Sequence, residues 1–188
     1  MSDTAVRSDS PARRLNIDMR TLSPFIALAA LVIAGALVNP DFLTASNLLN
    51  VVTRSAFIAI IAVGATFVIA GGGLDLSVGS MAGFVAGVMI LVLNALGTAE
   101  ASTLALGILA ALALGAACGL ANGLIVTYGR IEPFIVTLGT MGIFRALLTF
   151  LAAGGTITIR NLELREIYRP IYFGNLFGVP IPIIVFLA

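Results

Sequence analysis

Five polar residues inside the long apolar stretches of this sequence have side chains that could bind or guide a polar solute. They are Asp75, Ser77, Thr137, Thr140 and Arg145. Their carboxylate, hydroxyl and guanidinium groups can exchange hydrogen bonds with a solute that carries several hydroxyl groups. The sequence contains no His and no Lys, so no nucleophile can be matched with a base and no metal site can be assembled at membrane depth. We therefore predict no catalytic residue, no metal site and no cofactor.

The composition places these residues in a membrane. Of the 188 residues, 60% are apolar and only 10% are charged, and the mean hydropathy is +1.12. A soluble domain usually has about a quarter charged residues, so this chain is predicted to be an integral membrane protein. The net charge of +1 excludes a polybasic nucleic-acid binder. Because a P-loop needs a Lys, any ATP chemistry must come from another chain.

Charged residues mark the gaps between the predicted membrane spans. Four charge-free stretches are long enough to cross a bilayer core of about 30 Å, and they are residues 21–40, 55–74, 76–99 and 101–129. A fifth span covers residues 134–152 and is interrupted by Arg145. A sixth begins near Val179 and ends with the chain after about 15 Å of helix. The predicted fold is an all-α polytopic bundle of five complete spans and a truncated sixth.

The arginines predict the orientation of the chain. Residues 1–20 contain four of them and form a predicted cytoplasmic arm before a transmembrane domain at 21–188 that is incomplete at its C-terminus. The segment 154–178 then falls outside, although its three arginines conflict with the positive-inside rule. Its mixed apolar and charged residues predict a short interfacial helix over 162–168, closed by Pro170.

Small residues recur at intervals of four in two of the spans. One series is Gly79, Gly83 and Gly87, and the other is Gly107, Ala111, Gly115, Gly119 and Gly123. On a helix each series forms one stripe that a neighbouring backbone can approach closely. The spacing therefore predicts that these glycines pack helices together.

The segment GGGLDLSVGSMAG at residues 71–83 predicts a break between two helices. Three consecutive glycines disfavour a helix, and Asp75 or Ser77 can cap the next one. Inside a membrane, irregular backbone is tolerated where it is buried in protein or lines a water-filled cavity. Two interpretations are open: the break adjoins a solute path, or Asp75 caps a helix in an ordinary interfacial loop.

Arg145 and the two threonines of the fifth span also have two interpretations each. Glu132 and Pro133 mark the start of this helix, which puts Arg145 near the middle of the membrane, where an arginine is costly without a polar partner. It is either functional or reaches the interface from a tilted helix. Thr137 and Thr140 either line a path for a polyol or allow helix contact.

Two segments resemble the membrane permeases of monosaccharide ABC importers of the ribose and xylose type. The first is GGGLDLSVGSMAGF, similar to the family's GGIDLSVGS motif, and the second is ANGLIVTYGRIEPFIVTLGTMGIFRALLTFLAAGG, similar to NGxLVxxxxxxPFIxTLGTMxxxRGL. The resemblance covers residues 46–155 closely. Two positions depart from the family pattern, namely Ala146 after the arginine and Gly73 beside the usual glycine pair.

The resemblance implies a permease that forms the translocation path for a monosaccharide. Its implied partners are ABC ATP-binding subunits inside, a periplasmic sugar-binding protein outside, and a second permease subunit in a homodimer or heterodimer. It also implies a place in the bacterial inner membrane and a longer family protein, of which this chain is the N-terminal part. A secondary transporter or channel for a small polar solute is the alternative, although a proton-coupled transporter normally needs several intramembrane carboxylates.

Overall fold

The structure is a computed structural model that describes residues 19–187. Its helices are α1 (Met19–Val38), α2 (Ala45–Ala70), α3 (Val78–Leu96), α4 (Ala101–Gly129), α5 (Pro133–Ala152), α6 (Leu162–Phe173) and α7 (Ile181–Leu187). A hairpin of β1 (Asn175–Leu176) and β2 (Val179–Pro180) lies between α6 and α7. The predicted arm at 1–20 falls outside the described residues except for its last two, with which α1 begins.

The first of two compact units ends at Leu48, and its described part comprises α1, the turn that follows it and the first four residues of α2. In this turn the Asn39 side-chain oxygen accepts a hydrogen bond from the Asp41 amide at 2.9 Å. The Asn47 amide group donates to the Phe42 carbonyl at 2.6 Å. These local bonds satisfy backbone groups where the chain turns between α1 and α2.

In the second unit, from Leu49 onward, α3 packs against both α4 and α5. Leu93 of α3 is fully buried and lies against Gly107 of α4, where an added Cβ would meet its Cδ2 atom at 2.5 Å. On the side toward α5, the rings of Phe84 and Phe144 stack with centroids 5.8 Å apart. The missing side chain at Gly107 is therefore what lets α3 and α4 approach so closely.

The predicted packing glycines have different surroundings. A Cβ at Gly83 or Gly87 would meet Leu148 of α5 at 3.3 Å and 2.7 Å respectively. The other four have no described atom within 4 Å of an added Cβ, and they are Gly79, Gly115, Gly119 and Gly123. With Gly107, three of the predicted glycines thus lie at a contact between helices within this chain, while the part of the α4 stripe from Gly115 to Gly123 is open.

Four helices are long and apolar enough to cross a membrane within residues 19–187, namely α2, α3, α4 and α5. The apolar part of α1, Leu22–Val38, is shorter. Large apolar side chains on these helices, such as Ile58, Leu112 and Phe150, are exposed, as expected of surfaces that face lipid. The prediction of an all-α polytopic bundle is confirmed at this level, and the hairpin is an addition to it.

The structure differs from the sequence prediction at two helix boundaries and in one additional hairpin. The second span was predicted from residue 55, but α2 begins at Ala45, because the exposed Arg54 does not interrupt its backbone hydrogen bonds. The prediction that Pro170 closes the interfacial helix was wrong, since α6 continues to Phe173 and ends where the Gly174 amide bonds to the Pro170 carbonyl at 2.7 Å. The hairpin was not predicted, and its turn has positive φ at Phe177 and Gly178.

Replacing Gly107 by Leu tests the contact between α3 and α4. Because Leu93 has no free space beside it, we expect overpacking to cost about 1–3 kcal/mol. The measurement is the fraction of folded protein after detergent extraction. The control is Gly64→Leu on α2, where nothing lies within 4 Å of an added Cβ and the yield should not change. Equal yields from the two variants would contradict this packing.

Candidate functional site

The chain leaves helical geometry between α2 and α3, over residues 71–77. The amides of Gly71, Gly72 and Gly73 bond back to carbonyls in the last turns of α2 at 2.9–3.0 Å. Gly72 has φ +81°, a left-handed conformation that glycine adopts without steric cost and that commonly ends helices. The predicted break is therefore present, and the glycines produce it.

Asp75 and Ser77 are bonded to each other at the end of the break. One oxygen of Asp75, Oδ1, accepts hydrogen bonds from the Ser77 amide and from the Ser77 hydroxyl, both at 2.7 Å. Ser77 is fully buried. The prediction that one of these side chains caps α3 was wrong, because the cap position, Ser77, makes no side-chain bond to the helix amides. Its hydroxyl is engaged with Asp75 instead.

Asn122 of α4 extends this cluster into the bundle. Its side-chain nitrogen donates to the Ser77 hydroxyl oxygen at 3.0 Å, so a chain of hydrogen bonds runs from Asn122 through Ser77 to Asp75. Asn122 is 5% exposed, and its side-chain oxygen has no hydrogen-bond partner within the described chain. Asn122 and Ser77 are 45 positions apart in the sequence, so no local pattern connects Asn122 with the break.

Thr137 of α5 joins the other side of the break. Its hydroxyl oxygen accepts from the Leu76 amide at 3.1 Å and lies 3.2 Å from the Leu74 carbonyl oxygen, to which it can donate. Thr137 is 3% exposed, so water has little access to these groups. One buried hydroxyl thus replaces two of the backbone bonds that the irregular segment cannot make within a helix.

A cavity of about 280 Å³ lies between α2 and the break. Asp75 is the one charged residue in its wall among the described residues, and it is half-buried. The remaining wall is apolar and comes from Ile60, Ile61, Gly64, Ala65, Val68, Ile69, Leu74 and Val78. The pocket therefore offers a polar solute one carboxylate beside an otherwise aliphatic wall.

The other two predicted site residues are not bonded to the break. The Thr140 hydroxyl donates to the Thr137 carbonyl at 3.3 Å, one turn along α5. Arg145 is exposed, and its guanidinium has no hydrogen bond or ion pair with any residue in 19–187. The structure therefore brings Asp75, Ser77 and Thr137 together, adds Asn122, and leaves Arg145 on the open surface of α5.

Comparison with known proteins assigns this chain to a family. The family described as "Branched-chain amino acid transport system / permease component" matches residues 47–184, which include every residue of the break. The chain belongs to this family. As a family member it is a multi-pass membrane protein, in agreement with its four long apolar helices. No solved structure matches this chain.

The relatives with curated names are import permeases. The chain is 35% identical to the ribose import permease protein of Haemophilus influenzae over 162 residues, which cover 85% of this chain and 48% of that protein. It is 35% identical to the ribose import permease protein of Bacillus subtilis over 178 residues, covering 92% and 52%. An autoinducer 2 import system permease protein of Escherichia coli is 28% identical over 155 residues, covering 82% and 44%. This family member spans about half the length of these relatives, and the predicted resemblance to ribose-type permeases is confirmed.

Replacing Thr137 by Val tests whether its hydroxyl holds the break together. Valine has the same shape but leaves the Leu76 amide and the Leu74 carbonyl without this partner, so we expect stability to fall by about 1–3 kcal/mol. The measurement is the thermal unfolding midpoint in detergent. Thr137→Ser keeps the hydroxyl and should retain more stability than the Val variant. Thr140→Val is the control, and a loss as large as that of Thr137→Val would show that the break does not depend on Thr137.

Proposed function

We propose that this chain is the transmembrane permease subunit of an ATP-driven importer and forms part of the path of a monosaccharide. The observation that carries the proposal is the break between α2 and α3, where Asp75 lines an open cavity beside α2. The names of the ribose import permeases to which the chain is similar support a sugar as the solute. The chain itself performs no bond chemistry.

The side chains at the break are suited to weak binding of a solute in transit rather than to tight binding. Asp75 uses Oδ1 for its two bonds to Ser77, and its Oδ2 atom is left to accept hydroxyl groups from the cavity. The cavity wall is aliphatic and contains no aromatic side chain, so a sugar ring has no stacking partner there. Weak binding of this kind favours a conduit, with solute selection by a periplasmic sugar-binding protein.

Arg145 is proposed to line the same path. It lies twelve residues after Pro133, the first residue of α5, which is about 18 Å along the helix and so near the middle of the bilayer. An exposed arginine at this depth costs several kcal/mol in contact with lipid. A water-filled path, or a carboxylate of another subunit, removes that cost.

The open glycine stripe on α4 is proposed to receive another helix. Gly115, Gly119 and Gly123 have no neighbour within 4 Å of an added Cβ, although their spacing suits close helix contact. We assign this face to a second permease subunit, in a homodimer or heterodimer, or to a further helix of the complete protein. The same proposal includes five complete spans and a sixth that begins at α7. It also includes a cytoplasmic N-terminus and a place in the bacterial inner membrane.

ATP-binding subunits are the proposed source of energy, and uptake of labelled ribose by cells tests this. The full-length permease is expressed with its binding protein, with and without the cognate ATPase. We expect uptake to require the ATPase and to survive collapse of the proton gradient. Uptake that persists without the ATPase and stops with the gradient would overturn the importer and identify a secondary transporter.

Arg145→Ala in the full-length permease tests the assignment of this residue to the path. We expect the initial rate of uptake to fall about tenfold or more, because loss of a mid-membrane charge changes the path, while the amount of protein in the membrane stays near that of the wild type. Arg130→Ala is the matched control, since Arg130 follows the end of α4 and is exposed. Equal losses of membrane protein and of uptake would make Arg145 a structural residue.

A further inference from the structure

A second cavity, of about 960 Å³, lies beside α6. Its position is set by hydrogen bonds between the segment before α6 and the end of α3. The Asn94 side chain donates to the Thr158 carbonyl at 2.9 Å and accepts from the Arg160 amide at 2.8 Å. The Asn161 side chain donates to the Gly97 carbonyl at 2.9 Å. Since α3 is a membrane-spanning helix that ends at Leu96, the cavity lies at the level where the membrane meets water.

The cavity has an apolar side and a polar side. Ile90 of α3, Ile157 and Ile159 supply aliphatic surface. Ile90 lies one turn before Asn94, or about 6 Å deeper along α3. The other side comes from α6, which contributes Arg165, Glu166, Tyr168, Arg169 and Tyr172. The cavity thus presents aliphatic surface and charged groups side by side, and α6 adds the apolar Leu162 and Phe173.

The charges on α6 leave one cation free. Arg169 lies 3.7 Å from Glu166, and both side chains are more than 60% exposed, so this pair contributes little to stability. Arg165 lines the cavity without an ion-pair partner in the described part of the chain. Its guanidinium can form two parallel hydrogen bonds to a phosphate group.

The aromatic residues of α6 hold it against α2. The ring of Tyr172 stacks on Phe57 of α2, with centroids 5.3 Å apart and planes at 10°. Tyrosine is enriched at membrane interfaces because its ring is apolar and its hydroxyl is polar. An amphipathic helix with such residues lies in the plane of the interface, which keeps Arg165 at the height of lipid headgroups.

We propose that this cavity, which we call the α6 groove, binds an anionic phospholipid. Arg165 holds the phosphate group, the tyrosines border the headgroup, and one acyl chain covers Ile90, Ile157 and Ile159. The charge of the free arginine is complementary to the phosphate, and the aliphatic surface below it is complementary to the acyl chain. The proposal does not depend on the transport of sugar, because it rests on this end of the bundle alone.

The test is lipid binding by the purified full chain in detergent, measured by native mass spectrometry. The probes are phosphatidylglycerol, phosphatidylcholine and glycerol 1-phosphate, which is the headgroup without acyl chains. We expect phosphatidylglycerol to bind more tightly than phosphatidylcholine, and Arg165→Gln to weaken its binding about fivefold. Arg130→Gln, at the other end of α4, should leave binding unchanged. Ile159→Ser should weaken phosphatidylglycerol binding without removing the charge.

Three results would overturn the proposal. One is equal binding of phosphatidylglycerol to the Arg165→Gln and Arg130→Gln variants. Another is binding of glycerol 1-phosphate as tight as that of the lipid, which would make the groove a site for soluble anions. The third is loss of ribose uptake in Arg165→Gln without any change in lipid binding, which would assign the groove to a protein partner. The melting temperature of each variant shows that it has folded.

Discussion

A backbone amide or carbonyl inside a membrane must find a partner within the protein, because lipid offers none. This constraint acts most strongly on residues 71–77, where the chain is not helical although helices on both sides can cross the membrane. The glycine amides donate hydrogen bonds to carbonyls of α2. The Thr137 hydroxyl accepts a hydrogen bond from the Leu76 amide and can donate one to the Leu74 carbonyl. A break of this kind exists only where a neighbouring helix supplies such a group at the right depth. The position of α5 beside α3 is therefore a condition for the break.

The same packing explains why the cluster at the break is buried. Because α3 lies against α4 as well as α5, the buried Ser77 is reached by Asn122 from one helix, and the neighbouring Leu76 amide by Thr137 from the other. Close approach of α3 and α4 depends in turn on the missing side chain at Gly107. Gly107, which has no functional side chain, thus allows the helices to approach so that Ser77 and Asn122 come into contact.

Patterns local to the chain were enough to predict the helices and the break. Three glycines before Asp75 indicated where α2 ends, and Pro133 marked the first residue of α5. The bonds that connect the break with α4 and α5 join residues more than forty positions apart, as with Asn122 and Ser77, and no spacing within one helix indicates them. The prediction at Pro170 was wrong although it rested on a local pattern. A proline costs a helix one hydrogen bond, and α6 accommodates that loss one turn before its end.

The two charged residues of the proposed path, Asp75 and Arg145, are not paired with each other. Asp75 is bonded to Ser77, and Arg145 has no ion-pair partner within residues 19–187. An ion pair in a medium of low dielectric constant is strong, and breaking it leaves a costly unpaired charge. If Asp75 and Arg145 were paired, a sugar would have to separate them before it could pass. Hydrogen bonds from a serine hydroxyl and amide hold Asp75 in place more weakly, so its second oxygen stays available as an acceptor for the solute of the proposed path.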